Sequence, residues 1–180
     1  MTGNSANAVS YLIGTQLDLY ITAVMLRLLL QWVRADFYNP VSQFLVKVTN
    51  PAILPLRRVI PSIGQIDTAS VLLMVMLEIF SVWIASQISS NPMDALQIVL
   101  FSLVKLMATL LLTYFFLIIA SVIMSWVGGR MRHPVVPIVY QLTEPVLRPF
   151  RRIIPPIAGI DLSPLFALIA IRFLLLLLGW

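Results

Sequence analysis

The stretch PAILPLRRVIPSIGQID occupies residues 51–67, and PVLRPFRRIIPPIAGID occupies residues 145–161. Two adjacent arginines between prolines, closed by Ile-Asp, thus occur twice at an offset of 94 residues. The same offset lays Tyr20 on Tyr114, Trp32 on Trp126, Pro40 on Pro134 and Thr49 on Thr143, with no gap from residue 20 to residue 80. Chance similarity among apolar residues does not keep Pro, Arg, Trp and Asp in step. The sequence therefore reads as an internal duplication.

The surroundings of these stretches identify the solvent. Of 180 residues 60% are apolar and 11% charged, with a mean hydropathy of +0.98. A soluble domain carries about 25% charged residues, so this chain reads as a bilayer protein. The absence of cysteine excludes disulfides, thiolate metal sites and a Cys nucleophile. The net charge of +5 fits the Lys/Arg excess of cytoplasmic loops and does not call for nucleic acid. His133 is the one histidine, expected at a loop surface. With no Ser-His-Asp set, P-loop or G-x-G-x-x-G, neither an enzyme nor a bound cofactor or metal is expected.

Four apolar segments are expected to span: residues 8–34, 68–88, 95–127 and 162–180. Spanning takes about 20 residues. The N-terminal residues lack the basic n-region of a cleaved signal, so the first segment reads as a retained helix. The third is long: either its first dozen residues lie at or outside the interface, or the helix is tilted, and Lys105 is expected near the outer boundary, where it would snorkel. Each repeat, 1–90 and 91–180, is then helix, basic loop, helix. The fold class expected is an all-α membrane protein of two parallel helix-loop-helix repeats, related by an axis along the membrane normal.

The loops carry the orientation. Residues 35–66 hold Lys47, Arg57 and Arg58, and residues 128–160 hold Arg130, Arg132, Arg148, Arg151 and Arg152, whereas residues 1–10 and 89–94 hold no Lys or Arg. Both long loops are expected in the cytoplasm and both termini outside. Within the loops, Val41, Phe44, Leu45 and Val48 form an apolar stripe opposite Ser42, Gln43 and Lys47. Val135, Ile138, Val139 and Leu142 repeat it, with Gln141 and Glu144 polar. Short amphipathic helices are expected at 41–50 and 135–144, in the interfacial plane or packed on the bundle. Each is expected to stop at Pro51 or Pro145, with the following segment bent and partly extended. Arg57, Arg58, Arg148, Arg151, Arg152 and Lys47 are the candidate contacts for anionic phospholipid or a partner. Asp67 and Asp161 are expected to cap the next membrane helices, with Asp67 also able to pair with Arg57 or Arg58, and Pro164 falls in a first helical turn. The arginine pairs are thereby topology anchors or specific docking sites.

These residues resemble the paired signature of the YggT family of bacterial inner-membrane proteins, related to YlmG and to cytochrome-complex-assembly proteins. The resemblance covers about residues 10–175. Gln65 and Ala158 each stand where the motif has a glycine, so the turn there is not expected to need positive φ. The resemblance implies association with cell division or envelope organisation and with osmotic or ion tolerance, and no reaction.

Charges inside spanning segments are costly and are functional candidates. Glu78 and Arg172 lie eleven residues after Asp67 and Asp161, at matching depths, and Arg27 lies on the first helix. Glu78 is expected to face the interior and pair with Arg172 or Arg27, either as a structural lock or as part of an ion or proton path. Trp32, Trp126 and Trp180 fit an interfacial belt. Two functions follow as expectations. One is a non-catalytic organiser of envelope or division assembly that contacts anionic lipid, an unidentified membrane partner or further copies of itself. The other is a small channel or transporter component.

Overall fold

The computed structural model describes residues 2–64, 66–88, 92–127, 133–154 and 161–180. Arg130, Arg132, Gln65 and Ala158, singled out above, lie outside them. Six helices follow in order: α1 (Thr2–Trp32), α2 (Pro40–Arg57), α3 (Thr68–Ile88), α4 (Ala95–Val127), α5 (Val135–Ile153) and α6 (Ser163–Leu177). Among the described residues, the remaining regular structure is one bridge joining Ile63 and Ile66.

Among the described residues, three helices are long and apolar enough to cross a membrane: Ala8–Trp32, Thr68–Ile88 and Ala95–Trp126. The chain is thus a membrane-type helical protein. The fourth expected span is an apolar helix of 15 residues, Ser163–Leu177, shorter than the roughly 20 that a crossing ordinarily takes.

The helix ends follow local chemistry. Arg34 adopts φ 53 just beyond α1, and the Ala35 N–H bonds back to the Leu30 carbonyl at 2.9 Å, a left-handed helix stop. Asn39 precedes α2, accepting the Val41 N–H on Oδ1 at 2.9 Å, and Pro40 takes the first helical position, where no donor is lost. At α4, Asp94 Oδ1 accepts the Gln97 N–H at 2.8 Å and Gln97 Oε1 accepts the Asp94 N–H at 3.0 Å, a reciprocal capping box.

The prolines correct the reading of the loops. α2 runs through Pro51 and Pro55, and α5 through Pro145 and Pro149, so the amphipathic helices do not stop at 50 and 144. A proline frees the carbonyl four residues earlier. In each helix the two prolines are four residues apart and both are exposed, so the freed groups lie on the outward face. The stripe of α2 shifts accordingly. Ser42, Leu45, Thr49 and Ile53 are buried, while Phe44 and Val48 are exposed. Ser42 therefore faces inward, contrary to expectation, because a helix reaching Arg57 aligns its buried face on Thr49 and Ile53. In α5 the expected stripe holds, with Ile138, Val139 and Leu142 buried, extended by Leu147. The turn after α2 does use positive φ, at Gly64 (φ 61), one residue before Gln65.

The chain divides into two compact units, Met1–Leu28 with Leu45–Met107, and Leu29–Phe44 with Ala108–Trp180. The first buries Ile21 and Val24 of α1, Ile53 of α2 and Ala69 of α3. The second buries Ile118 of α4, Leu142 and Leu147 of α5, and Ala167 and Leu175 of α6.

Candidate functional site

The arginine corners are built from a helix end and the start of the next helix. Arg57, the last residue of α2, meets Asp67, which directly precedes α3: Nη2 donates to Oδ2 at 2.6 Å, and Nε lies 3.2 Å from both carboxylate oxygens. The Ser70 hydroxyl also donates to Asp67. The Asp67 side chain is 1% exposed. Burial pushes its carboxyl up, but the hydrogen bonds from Arg57 and Ser70 and the Arg57 charge outweigh burial and hold it below the usual carboxylate range. Asp67 is therefore the start-of-helix acid and the arginine partner at once.

The second corner repeats the ten-residue reach with looser geometry. Arg151 Nε donates to Asp161 Oδ2 at 2.8 Å, and its Nη1 donates to Glu144 Oε2 at 2.5 Å. Asp161 Oδ1 accepts the Ser163 N–H at 2.9 Å, one residue ahead of the cap of α6, which is Leu162. Pro164 sits in the first turn. Burial works against the Asp161 charge, while the Ser163 and Arg151 hydrogen bonds hold its carboxyl below the usual range. Burial likewise works against the Arg151 charge, and the two carboxylates override it and raise that guanidinium's pKa.

In each pair the first arginine is thus held by the protein itself. Arg58 and Arg152 are exposed and, with Arg148 and Lys47, form no ion pair among the described residues. Arg148 borders a shallow cleft of about 510 Å³ with Tyr140, Gln141 and Glu144. His133 is exposed, as expected.

The membrane charges pair differently from expectation. Glu78, 1% exposed, contacts neither Arg172 nor Arg27. Its Oε1 lies 2.7 Å from Lys105 Nζ, which also lies 2.7 Å from Asp18 Oδ1. Lys105 is thus an ion-pair centre and not a snorkelling residue. Asp18, Glu78 and Lys105 each lie ten residues from a span end, Ala8, Ile88 and Ala95, hence about 15 Å along their helices. Equal distances from these three ends match the meeting of residues far apart in sequence. The partner was missed because hydrophobic register compares a residue with its repeat equivalent and not with a neighbouring helix. The available signal was an acid, Asp18, ten residues into an apolar stretch.

Arg27 is also buried, with Nη1 donating to Thr49 Oγ1 at 2.6 Å. Arg172 is exposed instead of interior and donates to the Trp180 backbone carbonyl at 3.2 Å. A long side chain reaching along its helix toward the end relieves the cost of a charge in apolar surroundings. Among the described residues no group of three or more His, Cys, Asp or Glu is arranged to hold a metal.

Comparison with known proteins adds the following. The family model described as CCB3/YggT matches the chain twice, over residues 6–88 and 100–180. A Vibrio alginolyticus protein named "Uncharacterized protein in proC 3'region" is 46% identical over 178 residues, covering 96% of this chain and 94% of its own. Escherichia coli K12 "Uncharacterized protein YggT" is 41% identical over 160 residues, 88% of this chain and 82% of its own. A Haemophilus influenzae relative is 33% identical over 162 residues, 90% and 86% respectively. No solved structure matches.

Proposed function

The chain belongs to the CCB3/YggT family, and on that premise we propose that it is a non-catalytic integral protein of the bacterial inner membrane that grips anionic phospholipid from the cytoplasmic side and organises an envelope or division assembly there. It crosses four times as two parallel repeats, with both termini periplasmic. The eight-to-none distribution of Lys and Arg between the long loops and the opposite side supports this orientation. α2 and α5 lie along the cytoplasmic surface, with Phe44 and Leu54 exposed toward acyl chains.

The observation that carries the reading is the division of labour within each arginine pair. Arg57 and Arg151 tie the corner to the following helix, which sets the corner's shape. Arg58 and Arg152 remain exposed beside them. Two exposed guanidinium groups at a membrane surface suit phosphate oxygens, at about 1 kcal/mol of attraction each. The test is retention of phosphatidylglycerol and cardiolipin by the purified full-length chain, read by native mass spectrometry. Arg58→Gln with Arg152→Gln removes roughly 2 kcal/mol, a loss of about thirtyfold in affinity. Unchanged retention overturns the reading.

A second reading rests on Asp18, Lys105 and Glu78. Two carboxylates around one ammonium, midway along apolar helices, are the type of group found on ion paths, and they favour a component of ion or osmotic balance. Ion flux in proteoliposomes tests it. Flux abolished by Glu78→Gln supports it, and absence of flux rejects it.

A further inference from the structure

The two copies of the repeat differ in charge around their arginine corners. The 94-residue offset pairs Arg27 with Ser121, Asn50 with Glu144, Asp67 with Asp161 and Ser70 with Pro164. In the first copy Asp67 is 1% exposed, with Arg57 and the Ser70 hydroxyl upon it, and Arg27 fills the interior against Thr49. One acid there stands among two bases. In the second copy the proportions reverse. Arg151 is shared by two carboxylates, Asp161 and Glu144. Ser121 replaces Arg27 and turns its hydroxyl back to the Ile118 carbonyl at 2.7 Å. Pro164 replaces Ser70 and has no hydroxyl to donate. The Asp161 side chain is left 37% exposed.

Where the first copy carries Arg27, the second carries the small Ser121 at the wall of a cleft. The cleft, of about 600 Å³, also has Ser125, Trp126, Leu147, Arg151 and Asp161 in its wall. The remaining wall is largely apolar, including Leu165 and Leu168. It lies at the last turns of α4 and the first turns of α6, the depth at which head groups meet acyl chains.

We infer that this cleft binds a phospholipid with a primary ammonium head group, such as phosphatidylethanolamine, its ammonium standing against Asp161 on the side of Ser121, the counterpart of Arg27. The cleft wall carries one carboxylate, Asp161, and one guanidinium, Arg151, so it suits a zwitterionic head group whose cation has N–H donors for the carboxylate and whose phosphate meets the guanidinium. The apolar wall suits an acyl chain, and the Trp126 and Tyr140 donors, with Arg151, suit the phosphate. A lysine from a partner protein matches the charge but leaves the apolar wall at Leu165 and Leu168 uncovered. The inference rests on the proposal that α4 and α6 meet the bilayer here. It does not depend on Arg58 or Arg152.

The test uses the full-length chain in mild detergent, offered phosphatidylethanolamine, phosphatidylcholine and phosphatidylglycerol in equal amounts and read by native mass spectrometry. The expected result is about tenfold preference for phosphatidylethanolamine over phosphatidylcholine, whose methylated nitrogen has no N–H to donate. Ser121→Arg supplies the missing cation from the protein and abolishes that preference. If Ser121→Arg does not fold, Leu165→Trp obstructs the cleft at an exposed wall residue and produces the same loss. Equal retention of the two lipids, or a preference that survives the folded variant, overturns the inference. Ethanolamine-lipid preference lost with phosphatidylglycerol retention intact sinks the cleft alone, and the reverse pattern sinks the surface reading alone.

Discussion

Lys105 Nζ lies 2.7 Å from Glu78 Oε1 although 27 residues separate them, and Glu78 is 1% exposed. Lys105→Met would strand that buried carboxylate and is expected to cost about 3 kcal/mol. Asp18, 43% exposed on the other side of the same ammonium, is expected to cost less than about 1 kcal/mol as Asp18→Asn. Denaturation in detergent measures both. Combining Lys105→Met with Glu78→Gln should recover part of the loss, and a double variant no better than Lys105→Met would show that the ion pair does not hold these helices.

The two arginine corners should differ in strength. Arg57→Ala leaves Asp67 buried and unpaired, and since Arg57 is itself about a third exposed, a loss of about 2–3 kcal/mol is expected. Arg151→Ala breaks contacts among side chains 37–51% exposed and is expected to cost about 1 kcal/mol or less. Equal losses from the two substitutions would refute this ranking.

Acid sensitivity follows from Asp67. Its folded carboxyl is held below the ordinary range, whereas the unfolded chain has the ordinary value. Its contribution is therefore complete above that ordinary value and disappears as the pH falls through the folded one. Melting temperature followed down to about pH 2 should show a steep acid limb, and Asp67→Asn should flatten it. An acid limb of unchanged steepness in Asp67→Asn would assign the sensitivity elsewhere.

Orientation is open to direct test. Cysteines introduced at Ser62 and Gln141, both exposed, are expected to resist an impermeant thiol reagent in intact spheroplasts and to react after lysis. Labelling from outside at either position contradicts the cytoplasmic placement of the loops.

Arg34 holds a left-handed conformation, φ 53, that favours glycine. Arg34→Gly is expected to stabilise the chain by about 1 kcal/mol, seen as a higher melting temperature, and a lower one would show that the arginine side chain has a role of its own.

Much of this architecture is written in local pattern. The bounds of α3 and α4 follow from runs of apolar residues, and the Asp67–Arg57 contact follows from an acid placed at a helix start beside a basic loop. The prolines misled because their effect depends on which face they occupy. Pro51 and Pro55 are both exposed, so α2 continues through them instead of ending. The partner of Glu78 was hidden for a different reason: it lies on a neighbouring helix, and its identity depends on where three separate spans begin. Arg172 looked like an interior charge by repeat depth, yet α6 ends at Leu177, so the guanidinium needs only to reach along the helix to Trp180.

The shortness of α6 has a consequence for the surrounding lipid. As a crossing helix its 15 residues extend about 22 Å, against a hydrocarbon thickness of about 30 Å. Lipid beside α6 must thin or the flanking chain must sink, whereas lipid beside the 32-residue stretch of α4 meets a wall of ample height. On the proposed four-span topology these two walls set different bilayer thicknesses, a difference that sorts a protein laterally toward thinner regions of the bilayer and toward neighbours with equally short walls.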